Sequence, residues 1–188
     1  MNRVILILGV AGSGKDYVAK QMLETLPNAK MFKFADLIVD IASDIYSLNL
    51  RDPQVYEDFQ KDRRFVLQNL GESLKIRVCP SIFANDVARR IAEDMYEAKE
   101  SEERNYIISD CRYPGEIDLT AANLGAEDCE ILCYFTDYHS ERYNPNLEHK
   151  SEKFAQFLVK KGVSTGFVLY EVLEAYGEEF QKNGGEWI

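Results

Sequence analysis

Apolar residues fall in two rhythms along the chain. Short unbroken runs alternate with stretches whose apolar positions recur every third or fourth residue, the alternation of buried strands and amphipathic helices that builds an α/β protein. The first run is Val4-Ile5-Leu6-Ile7-Leu8, followed by a glycine-rich segment and then by Val18, Ala19, Met22, Leu23 and Leu26 at helical spacing, which Pro27-Asn28 ends. Residues 30–34 predict a second short strand, and Leu37, Ile38, Ile41 and Ile45 one side of the helix after it. Residues 49–61 are polar, contain Asp52-Pro53 and lack a core-building period, so they read as a loop or a short helical insertion. A helix is predicted over 62–77, with Phe65/Val66, Leu70 and Leu74 as its apolar positions and Gly71 either inside it or breaking it.

Phe83, Val87, Ile91 and Met95 mark a further amphipathic helix that runs into the charged tract 97–104, a solvated helix end and loop. Tyr106-Ile107-Ile108-Ser109 predicts a buried strand delivering Asp110 and Arg112 to its carboxyl end. Pro114-Gly115 then turn the chain, a helix follows to Leu124 and Gly125, and residues 130–135 supply the next strand. Residues 137–150 hold few apolar anchors and several polar groups, among them His139, Arg142 and His149, as a lid would. Ser151 is placed to cap a helix through about Lys161, and residues 163–180 fit either a last strand plus helix or one long helix.

At 188 residues the chain holds one well-buried core and is too short for two ordinary domains. The net charge of −10 opposes stable binding to nucleic acid or to anionic membranes, and leaves small anions as partners wherever cations are concentrated. Cys79, Cys111, Cys129 and Cys133 lack paired metal-ligand spacing and are expected to be free thiols; the two histidines lack a third zinc ligand. No apolar segment reaches membrane-spanning length and no basic leader precedes the first strand, so cytoplasm is the expected compartment. Oligomeric state is not fixed by the pattern, which leaves a homodimer open.

Gly9, four intervening residues, Gly14 and Lys15 have the spacing of a phosphate-binding loop, between a strand and a helix as that chemistry requires. Tight turning at the glycines aims successive N–H groups inward, the helix N-terminus adds positive partial charge, and Lys15 reaches the terminal phosphates. Asp16 stands where a hydroxyl residue usually meets Mg²⁺; a carboxylate there can still hold the ion, directly or through its waters. Asp110, after its short strand, occupies the place of a metal-organising carboxylate, with helix capping as the alternative. Cations for phosphoryl transfer are Lys15, Arg63/Arg64 with Arg77, Arg112, and Arg142 with Lys150.

The residues resemble the deoxynucleoside monophosphate kinases of phage and bacterial genomes. The resemblance rests on Gly9-Val10-Ala11-Gly12-Ser13-Gly14-Lys15-Asp16, Phe34-Ala35-Asp36, the run from Arg64 to Glu72, the run from Ile108 to Glu116, and His149-Lys150-Ser151-Glu152, in that order. It implies a phosphate-loop fold with a five-stranded parallel sheet flanked by helices, as a single kinase domain over residues 1–188. The acceptor-binding helical region would span about residues 36–104 and the lid about residues 137–150. It further implies transfer of the γ-phosphate of ATP, with Mg²⁺, to a deoxynucleoside monophosphate. Gly9, Gly12, Ser13, Gly14, Lys15 and Asp16 would hold the ATP phosphates, and Phe34, Asp36, Arg64, Gln68, Arg77, Arg112 and Glu116 would form the acceptor side. Asp16 and Asp110 would serve the metal, while Lys15, Arg112 and the lid residue Arg142 would neutralise transition-state charge. The pattern of the resemblance stops after Glu152, without its terminal strand. Rival readings are a kinase of phosphomevalonate type, a kinase of hydroxymethylated bases in DNA, and a nucleotide-binding regulatory module without turnover.

Overall fold

Strand β1 (Asn2–Leu8) lies at the middle of the sheet because its apolar run is buried on both faces. Val4, Leu6 and Leu8 enter one core cluster, Ile5 and Ile7 the other, as the two-residue period of a strand requires. The computed structural model describes residues 1–98, 102–125, 129–137 and 152–187. After β1 come α1 (Lys15–Thr25), β2 (Ala29–Phe32), α2 (Asp36–Tyr46), α3 (Pro53–Arg77) and α4 (Ile82–Glu97). Then follow β3 (Asn105–Cys111), α5 (Pro114–Leu124), β4 (Cys129–Phe135), α6 (Lys153–Lys160), β5 (Gly166–Val168) and α7 (Tyr170–Lys182). The strand order is β2-β3-β1-β4-β5. Helix α1 covers one face through Ala19, Val18 and Met22. Residues of α4, α5, α6 and α7, including Ile91, Ile117, Leu158 and Leu173, fill the other.

The expected five-stranded parallel sheet needs one correction. Strands β1 to β4 are parallel, but β5 pairs antiparallel with β4, Gly166 opposite Phe135 and Val168 opposite Cys133. Glu152, just ahead of α6, and Gly166 both lie at the carboxyl ends of the strands, the first bonded to Ala11 and the second beside Phe135. The chain therefore enters β5 beside the carboxyl end of β4 and runs antiparallel to it. Residues 163–180 are thus a strand plus a helix.

A second correction concerns residues 49–61. Asp52 accepts the N–H groups of Gln54 (2.8 Å) and Val55 (3.2 Å), and Pro53 occupies the first turn, so α3 starts there and continues through Gly71 to Arg77. It bends at Arg63, whose φ of −129° is not helical. Beyond that break the buried positions are Leu67 and Gly71, and Phe65 is exposed. On α2 the buried residues are Val39 and Ala42, while Ile45 is 65% exposed near the helix end. The expected lid, with His139, Arg142, His149, Lys150 and the cap Ser151, lies outside the described residues.

At the amino end of the sheet Asp94 of α4 is bonded by Lys30 and Arg104, with the Tyr106 hydroxyl at 3.4 Å. Near the other end the Trp187 carbonyl accepts from Gly115 N–H (2.8 Å), and its ring lies so close to Gly115 and Gly177 that a Cβ there would fall 2.6 and 2.9 Å from it. All four cysteines are free thiols. No helix among the described residues is long and apolar enough to cross a membrane.

Candidate functional site

The loop after β1 is shaped by contacts that leave no room for side chains. A Cβ on Gly9 would stand 2.4 Å from Ser13 Oγ and from Thr136 O, and Thr136 Oγ1 donates to Ser13 O at 2.5 Å. Gly12 and Gly14 hold φ of 80° and 88°, the left-handed region that favours glycine. Gly14 is the N-cap of α1 without any side-chain cap, so the first amides of that helix face outward as anion donors. Ser13 is turned inward: its N–H donates to Val10 O (3.1 Å) and its Oγ is buried beneath Gly9. The donor set of loop and helix start therefore fits a phosphate chain, through main-chain groups rather than the Ser13 hydroxyl.

Lys15 Nζ donates to Gly9 O (2.6 Å) and Val10 O (2.8 Å). Burial lowers its pKa; Glu152, Asp16 and Asp110 act to raise it, and Arg112 to lower it. Glu152, 6% exposed, accepts the Ala11 N–H at 2.7 Å and stands 4.0 Å from Arg112 Nη1. Asp16 is an exposed carboxylate 3.4 Å from Lys33 Nζ.

Strand β3 delivers Asp110 beside the loop, since β1 and β3 are neighbours. Its Oδ1 accepts from Phe34 N–H (2.8 Å) and its Oδ2 from Ala35 N–H (3.0 Å), capping the start of α2 from another strand. Burial raises its pKa, against those two bonds and the charges of Arg112 and Lys33. Glu116 is buried in the first turn of α5, where it accepts the N–H groups of Arg112 (2.7 Å) and Tyr113 (3.1 Å) and meets Lys75 Nζ at 4.0 Å. It sets the main chain at Arg112. Lys75 itself lies 3.7 Å over the Tyr113 ring.

A second set of charges acts on Tyr56 in the early part of α3. Burial raises the pKa of this phenol, Lys33, Arg64 and Arg112 pull it down, and Asp110 pushes it up. Arg112 therefore acts on both Lys15 and Tyr56. Contacts link the phosphate loop to Arg112 through Glu152, and Asp16 to Lys33. Phe34 is in the core with its N–H on Asp110, and Asp36 is bonded by Lys33 N–H (3.0 Å) and Arg51 (2.8 Å). Gln68 and Arg77 are exposed on α3, and Arg63 lies over the Tyr46 and Phe59 rings. Arg142 lies outside the described residues. Among the described residues no three acidic, histidine or cysteine groups cluster as a metal site. Mg²⁺ needs no such cage when phosphates and water complete its shell; Asp16 is an exposed carboxylate, while both oxygens of Asp110 already accept main-chain N–H groups.

Two residues of this arrangement, Lys33 and Tyr56, are not singled out by sequence, and Glu152 enters only as part of the resemblance. Lys33 adjoins a motif; Tyr56 sits in a segment that reads as a loop or a short helical insertion; Glu152 gives no local signal of its contact with Ala11. No protein-family model matches the chain, and no curated protein matches it.

Proposed function

We propose that the protein transfers the terminal phosphoryl group of ATP, with Mg²⁺, to a deoxynucleoside monophosphate. The position of Arg112 carries this assignment, because Glu152 joins its guanidinium (4.0 Å) to the Ala11 N–H of the loop (2.7 Å), and its charge acts on both Lys15 and Tyr56. A reaction between two phosphate esters needs two anion seats joined by shared cations, and little covalent help from the protein. ATP with Mg²⁺ supplies the activated phosphoryl group and screens its charge. Main-chain amides of the loop after β1 and of the start of α1 bind the donor phosphates. Lys15 exchanges its two carbonyl partners for the terminal oxygens. Asp16 and Asp110 hold the metal through its waters. Lys33, Arg64 and Arg112 bind the acceptor phosphate beside Tyr56, and Arg142 is the lid cation.

A coupled ADP-release assay across dAMP, dGMP, dCMP, dTMP and modified pyrimidine monophosphates tests the assignment. Lys15→Ala is expected to reduce kcat by about a thousandfold. Arg112→Ala is expected to raise KM for the monophosphate by about ten- to a hundredfold. If no monophosphate stimulates ADP release, the assignment gives way to a nucleotide-binding module without turnover. Stimulation by phosphomevalonate or hydroxymethylated DNA alone would move the acceptor to those classes.

A further inference from the structure

We propose that Glu152 is an internal competitor for the phosphate loop, a carboxylate that holds an amide the triphosphate needs and yields it as that anion arrives. This rests on the phosphate-loop reading of residues 9–15. Glu152 is remote from the loop in sequence, yet its Oε2 accepts from Ala11 N–H at 2.7 Å and its Oε1 lies 4.0 Å from Arg112 Nη1. The side chain is 8% exposed, and the helix it precedes is anchored in the core by Phe154, Ala155 and Leu158. It is therefore built into the loop wall, not a surface acid that brushes past.

Carboxylate and phosphate oxygens ask the same of an amide, a short charge-assisted N–H bond. Two anions at one amide repel each other, most where water is excluded. Glu152 is also lightly held: a carboxylate has about four acceptor positions, and among the described residues this one shows one direct bond and one long ion pair. A polyphosphate brings more oxygens and more charge to the same donors, including Lys15, on which Glu152 already acts. The exchange that seats it also loosens Glu152 from Arg112.

Calorimetric titration of the full chain with inorganic tripolyphosphate tests the proposal. Glu152→Gln keeps the shape and an acceptor for Ala11 but removes the charge; its Kd is expected about tenfold below that of the wild type. Glu152→Asp keeps the charge one methylene short of Ala11 and is expected to fall between them. A brace without competition predicts the reverse, so equal or weaker binding by both variants overturns the proposal. The phosphate-loop reading then still stands if Lys15→Ala weakens wild-type binding. If the wild type does not bind tripolyphosphate and Lys15→Ala changes nothing, the loop reading fails and the proposal with it. Should circular dichroism show Glu152→Gln unfolded, Glu152→Asp decides by the same comparison.

Discussion

Each oxygen of Asp110 has its own main-chain partner, Phe34 N–H for one and Ala35 N–H for the other. Asparagine has a single acceptor oxygen, so in Asp110→Asn one of these amides faces an NH₂ group. That substitution is expected to lower the unfolding free energy by about 1–3 kcal/mol, read by urea denaturation. What a sequence reader can see at this scale is that Asp110 ends a strand; the amides it serves are 75 and 76 positions away, and no local pattern encodes them. Arg63 and Arg64 make the same point. They are adjacent, and the non-helical φ/ψ at Arg63 sends one onto the Tyr46 and Phe59 rings while the other acts on Tyr56. Asp36 and Glu116 were credible as ligand groups from their places, but both are taken up by neighbours within the protein.

At the scale of elements, α3 matters most, because its early turns carry Tyr56. Asp52 holds two of its first N–H groups. Asp52→Ala is expected to cost about 1 kcal/mol of stability, measured by chemical denaturation. The Asp-Pro pair falls in a segment that reads as a loop or a short helical insertion; the polar composition around it hid the length of the helix. Strands β1, β3 and β4 were legible because each is a buried apolar run. Strand β5 was not, since three residues carry no period and its direction follows from where α6 releases the chain.

Across the whole molecule the sheet has two unlike ends. Its carboxyl end carries Lys15 and, joined to the loop through Glu152, Arg112, in a chain of net charge −10. Its amino end holds the Asp94 cluster. Burial pushes the Asp94 carboxyl up, but hydrogen bonds from Lys30 and Arg104 outweigh that and hold it below its ordinary value. A carboxyl whose folded pKa is depressed stabilises the fold above its unfolded value, about 3.9, and loses that contribution as pH falls through the folded value. Asp40 is likewise held down, by Arg90 and Arg51 against burial. The thermal midpoint is therefore expected to fall below about pH 4, and Asp94→Asn to lower it at neutral pH and flatten the acid slope, in melts followed by circular dichroism. The order of the strands, by contrast, depends on distant pairings, and only the neighbourhood of β1 and β3 was foreseeable, from the chemistry both strand ends serve. Trp187 is the sole indole of the chain and rests on Gly115, three positions beyond Arg112. Its intrinsic fluorescence is thus a native optical probe of that turn, ready for stopped-flow work on unlabelled protein.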